Sequence, residues 1–174
     1  MAGPLLAHRL PTTRLTVIAC AVAMATAAAA AAAGTGESGL PLPRFVSLDA
    51  AEVNARAGPG LNYPVNWVFL RRSMPVEVTA EFDEWRLVRD IAGAQGWIHR
   101  NLLSGRRSVV VIDGEQPVLA EPEADSRLVA RAEDGAQGYL LSCAGAWCRV
   151  QFGRIKGWIA RARLWGVYPD EAVR

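Results

Sequence analysis

Beyond residue 34 the chain holds one histidine, His99, two cysteines, Cys143 and Cys148, and a scatter of carboxylates. A serine or cysteine nucleophile needs a base beside it, and only His99 could serve. It closes the alternating stretch Gln95-Gly-Trp-Ile-His99, which reads as a surface strand position. The carboxylate pairs Asp83-Glu84 and Glu121/Glu123 could do acid–base work only if burial shifted them, and both fall in turn-like, solvated contexts. No glycine loop of phosphate-cradling type occurs. Cys143 and Cys148 lie in SCAGAWC, where a zinc site would want two more Cys or His. No catalytic residue, metal or cofactor is therefore expected. In an oxidising compartment the two cysteines read as a disulfide, with two packed free thiols as the alternative.

The remaining chemistry is aromatic. The stretch VNARAGPGLNYPV, residues 53–65, crowds two glycines and two prolines around Tyr63. Gly58 and Gly60 are read as permitting positive φ, Pro59 as stiffening the bend, and Pro64 as pushing Tyr63 into an extended conformation. Asn62 is expected to bond its own backbone, and the Arg56 guanidinium to hold loop carbonyls. Such a loop would display Tyr63 on a stiff support, which lowers the entropy lost on binding. Trp85 and Trp147 follow tight turns and could line a groove or cover the end of a barrel. Trp97 and Trp158 each follow a glycine in a central strand and read as core or half-buried. Trp67 alternates with Val65 and reads as a packing residue.

These side chains must be placed by an exported chain. Arg9 and Arg14 precede an apolar run that passes through an alanine tract to Ala33. That is the anatomy of a signal peptide, residues 1–34. Residues 15–33 could also just span a bilayer as an uncleaved anchor. Alanine is only weakly membrane-seeking and the Ala-x-Ala exits near Ala33 favour cleavage, so a periplasmic or secreted protein without integral membrane insertion is expected. Val17-Ile-Ala-Cys20 looks like a lipid-attachment box, but the apolar stretch before Cys20 is too short. Of the 19 basic residues, Arg9 and Arg14 lie in the leader, whereas all 17 acidic residues lie beyond it. The remainder is net neutral, which excludes a nucleic-acid partner.

That remainder repeats itself. Residues 81–105 overlay 143–167, with Trp85 on Trp147, Gly96-Trp97-Ile98 on Gly157-Trp158-Ile159, and Arg100 on Arg161. Alternation predicts strands over 53–57, 75–82, 85–90 and 95–99, then over 138–143, 147–152 and 156–160. No helical stripe of useful length follows residue 45. Short strands at even spacing with Gly-rich turns mean a small barrel or sandwich, too small by itself to enclose a deep pocket. If 138–143 and 147–152 form a hairpin, Cys143 and Cys148 face each other near its turn, within disulfide reach.

Asn54-Ala-Arg56-Ala-Gly58-Pro59-Gly60 with Asn62-Tyr63-Pro64, followed by Trp85, Gly96-Trp97-Ile98 and Leu103, resembles the bacterial SH3 (SH3b) family, in a tandem subset of secreted proteins. Trp147, Gly157-Trp158-Ile159 and Leu164-Trp-Gly-Val carry the resemblance into the second module, whose opening loop shows Leu119-Ala-Glu121-Pro122 in place of the Asn-x-Arg-x-Gly-Pro motif. The resemblance implies an all-β chain of two tandem SH3-like small β-barrels after the signal peptide. A linker is expected over 35–44, barrels over 45–105 and 108–169, and a tail over 170–174. It further implies a non-catalytic binding module whose partner is a peptidoglycan peptide or an extended protein segment, contacted by Asn62, Tyr63, Trp85 and Trp147. Asn54, Arg56, Gly58, Pro59, Gly60, Gly96, Trp97, Gly157 and Trp158 would be structural. The alternative is an assembly protein whose aromatic surfaces bury against a partner or the sister barrel.

Overall fold

The computed structural model describes residues 34–174, so the expected signal peptide lies outside the described residues. No helix among the described residues is long and apolar enough to cross a membrane.

Among the described residues there are sixteen short strands and two three-residue 3-10 turns. Gly34–Thr35 (β1) and Pro41–Leu42 (β2) pair as a small hairpin. The first barrel comprises Arg44–Leu48 (β3), Val53–Arg56 (β4), Val65–Phe69 (β5), Pro75–Phe82 (β6), Trp85–Arg89 (β7), Gln95–His99 (β8) and Leu103–Ser104 (β9). The second comprises Ser108–Val111 (β10), Gln116–Leu119 (β11), Leu128–Ala132 (β12), Gln137–Ala144 (β13), Trp147–Phe152 (β14), Ile155–Ala160 (β15) and Leu164–Trp165 (β16). Hydrogen-bonded neighbours run β5-β4-β8-β7-β6-β3-β9 in one and β12-β11-β15-β14-β13-β10-β16 in the other. The order is the same, strand for strand. All described pairings are antiparallel.

Irregularities repeat as well. Register slips between Val78 and Ala80 on β6 and between Leu140 and Ser142 on β13. An extra residue there bends the long strand across the barrel. The hairpins that follow turn through Asp83 at φ 50 and Gly145 at φ 53, the left-handed first residue of a two-residue turn.

Alternation sends one side of each strand into a closed core. In the first barrel Val53, Ala55, Val76, Val78, Val88 and Ile98 are fully buried together. Val109, Val118, Cys148, Val150 and Ile159 do the same in the second. The Gly-Trp pairs have a packing reason. A β-carbon on Gly96 would lie 2.8 Å from the Ala55 Cβ, and one on Gly157 2.5 Å from Val118 Cγ1. Glycine lets β8 and β15 approach β4 and β11 closely.

The barrels are docked. Phe45, 5% exposed, packs edge-on to Trp165 at 5.0 Å between centroids and against Tyr168 at 4.7 Å. The Tyr168 hydroxyl donates to Glu77 Oε1 at 2.8 Å, and the buried Ser47 and Ser108 hydroxyls bond at 2.5 Å. Each aromatic pair adds about 0.5–1.5 kcal/mol beyond area burial.

The segment 35–44, expected as a linker, folds onto β6. Glu81 receives the Ser38 N–H at 2.7 Å, the Ser38 hydroxyl at 2.8 Å and the Arg44 guanidinium at 2.6 Å.

Candidate functional site

The outward face of the first barrel gathers the aromatic candidates. On β7 and β8 the inward residues are Arg86, Val88, Gly96 and Ile98, so Trp85, Leu87, Trp97 and His99 face outward, half-buried. Trp85 pairs across with His99, Leu87 with Trp97, and Trp97 in turn with Arg56 on β4. The Trp85 and His99 rings meet edge to face at 5.4 Å. His99 Nδ1 accepts the Asn101 N–H at 3.3 Å, so this histidine caps a 3-10 turn.

Arg56 links this row to the loop. Its Nη1 donates to the Tyr63 carbonyl at 2.8 Å and to the Leu61 carbonyl at 3.2 Å, as expected from the sequence. A backbone bond from Ala57 N to Pro64 O at 3.0 Å closes the neck of the loop. The glycines act otherwise than expected: neither Gly58 nor Gly60 has positive φ. They are needed because the Tyr63 ring lies across them, and a β-carbon on Gly58 would sit inside that ring's van der Waals surface. Tyr63 nevertheless remains 41% exposed. Asn62 is exposed, with its Oδ1 leaning on Gly60, and the expected bond to its own backbone is not formed. Asn54 is exposed on β4 opposite Val68, and Pro59 is half-buried in the bend. Trp67 packs against the core and stands edge-on to Phe69 at 6.2 Å.

The second barrel carries a reduced version of this face. Trp147 pairs with Ala160 where the first barrel has His99, and Trp158 lies between Arg149 and Leu119 where the first has Leu87 and Arg56. Its opening loop is closed by Ala120 N to Arg127 O at 2.9 Å and by the Ser126 hydroxyl, without an arginine clamp or a tyrosine. The structure thus sets Arg56, Trp97 and Trp85 on adjoining strands, ties the Tyr63 loop to them through Arg56, and leaves Trp147 on a separate barrel. Cys143 and Cys148 face each other on β13 and β14 and are disulfide-bonded, with Cα atoms 4.0 Å apart. Among the described residues no group of three or more His, Cys, Asp or Glu could hold a metal ion.

Two sets of perturbed acid–base groups carry no signal in the local sequence: Glu81 beneath the β1–β2 segment, and Tyr168 with Glu171 at the barrel junction. Burial would raise the Glu81 carboxyl, but bonds from Ser38 and Arg44 outweigh it and hold the group at about 2. Burial together with the bond to Glu77 pushes the Tyr168 phenol well above its ordinary range. Burial also opposes ionisation of Glu171, yet Arg107 and the Tyr168 N–H lower it. Tyr168 and Glu171 belong to the junction, whereas Glu81 pairs with Arg86 beside Trp85. Their signal is tertiary, since Glu77 and Tyr168 stand 91 residues apart.

Among solved structures, the chain is similar to NlpC2 from Trichomonas vaginalis, with 15% identity, a TM-score of 0.35, and coverage of 74% of this chain and 50% of that one. NlpC1 from the same organism gives 16% identity, a TM-score of 0.32, and coverage of 70% and 45%. The chain thus spans about half the length of either. Comparison with curated protein sequences gives no match. The sequence model of the bacterial SH3 domain matches residues 49–105 and again 113–166, one match for each barrel and well over half the chain together. With that double match on two barrels of identical strand order, the chain belongs to the bacterial SH3 domain family.

Proposed function

We propose that the protein is an exported, non-catalytic binding module that takes an extended cell-wall peptide along the outer face of its first barrel. The observation that carries this reading is the Tyr63 ring, 41% exposed, backed by Gly58 and clamped through its own carbonyl by Arg56. Tyr63 at one end and Trp85 at the other would bracket the peptide, with stacking as the main attraction. The second barrel, lacking the clamp and the tyrosine, braces the first.

A pull-down of the protein on purified sacculi tests this. Retention should fall at least about tenfold for Tyr63→Ala and for Trp85→Ala, the loss of an interface anchor. Equal retention of all three proteins removes the site.

A second reading, assembly through aromatic surfaces, has its own observation. Phe45, Trp165 and Tyr168 bury against the sister barrel, although Tyr63 and Trp85 do not. If the double variant Tyr63→Ala/Trp85→Ala changes oligomeric mass while sacculus retention holds, assembly is the better account.

A further inference from the structure

A cleft of about 360 Å³ opens where the barrels meet, lined by Asp49, Arg72, Ser73 and Ser104 from the first barrel, Arg106 from the connection between the barrels, and Tyr139 from the second. Neither barrel forms it by itself. The Arg106 guanidinium lies over the Tyr139 ring, 3.4 Å from its centroid. Stacking of this kind fixes the plane of a guanidinium and leaves its N–H edges pointing sideways. Arg106 makes no ion pair among the described residues, whereas Arg72 is matched by Asp49 at 3.1 Å. The cleft therefore holds one positive charge in excess.

The hydroxyl groups add to that excess. Ser104 Oγ accepts the Arg106 N–H at 3.2 Å, so its own proton remains to be donated. Ser73 Oγ and Tyr139 Oη share one bond at 3.0 Å, which uses one of their two protons. Ser73 reaches that position with φ at 59, a left-handed conformation that is costly for a residue with a β-carbon. Donors thus outnumber acceptors around a fixed guanidinium. That arrangement matches a planar anion with two acceptor oxygens, since arginine and carboxylate pair through parallel N–H···O bonds.

We propose that this junction cleft binds a carboxylate, presented as the free C-terminus of a short peptide. Arg106 holds the two oxygens, and the Ser104 and Ser73/Tyr139 hydroxyls complete the set. The site is independent of the Tyr63 face, so failure of one leaves the other standing.

Calorimetric titration of the whole protein with acetyl-alanyl-alanine, with its C-terminal amide and with acetate tests the assignment. The acid should bind about tenfold or more tighter than the amide, and Arg106→Gln should abolish the difference. Arg106 is exposed and outside both cores, so the variant should still fold and melt cooperatively, with only a small loss from the missing stack. Tyr139→Leu, which removes the stack but keeps the charge, should weaken the acid and leave the amide unchanged. Acetate binding as well as the dipeptide would support the same anion site for small carboxylates. Equal binding of acid and amide, absence of binding by either at millimolar concentration, or a preference that survives Arg106→Gln would overturn the proposal.

Discussion

Arg56 directs its guanidinium to two carbonyls of its own loop, and the loop in turn carries Tyr63. The charge therefore acts as a brace, and the exposed chemistry is left to the ring. Gly58 is the other half of the support, because the ring rests on its α-carbon. Gly58→Ala would force the ring away or the loop open, with a destabilisation on the order of 1–3 kcal/mol, as for other insertions into filled space. Urea unfolding combined with the NMR shifts of the Tyr63 ring measures both effects. A variant with unchanged midpoint and unchanged ring shifts would show that the ring does not lie where the contact places it.

At the scale of elements, the β1–β2 hairpin is held by Leu42 against the core, by Glu37 accepting the Asp83 N–H at 2.8 Å, and by the charged contacts of Glu81. Glu81, with its side chain 1% exposed, is met by Arg44 and Arg86 and by Ser38. Its carboxyl titrates at about 2 in the folded protein against 4.5 ordinarily, so the stabilisation is complete above pH 4.5 and lost as pH falls toward 2. The amount is on the order of 2–3 kcal/mol. Glu81→Gln should flatten that acid limb and cost roughly 3 kcal/mol at neutral pH, because two arginines lose their partner. Denaturant midpoints between pH 7 and 2 read both, and an acid limb of equal slope in the two proteins would rule Glu81 out as its source. None of this attachment is visible in the residues 35–44, since their partner lies about forty positions away. The strands β6, β7 and β8 and their counterparts are legible because one face is wet and alternation survives. The opening strand β10 is not, since Ser108–Val111 is buried on every residue, by its own core on one side and the first barrel on the other. Trp85 and Trp97 were placeable on strands, but their joining to Arg56 depends on β4 lying beside β8, a pairing that only the folded sheet reveals.

For the whole molecule, the question is whether two barrels behave as one. Glu77, 3% exposed, is held from both sides: Arg89 bonds it within the first barrel and Tyr168 reaches it from the second. Beside this bond Phe45 fills the space between Trp165 and Tyr168. An interface with a buried carboxylate and a close-packed aromatic cluster couples unfolding of one barrel to exposure of the other, so a single calorimetric transition is expected for the native protein. Phe45→Ala removes the cluster's centre at a cost of about 3–5 kcal/mol and should split that transition into two. Tyr168→Phe keeps the packing but leaves Glu77 one donor short, costing about 1.5–3 kcal/mol. The same pair gives an alkaline signature. Because the folded phenol holds its proton beyond the ordinary range, the native protein loses stability as pH rises above 10, and Tyr168→Phe should remove that loss. Two transitions in the native protein, or one transition in Phe45→Ala as cooperative as before, would mean that the barrels fold without reference to each other and that the junction cleft has no fixed shape.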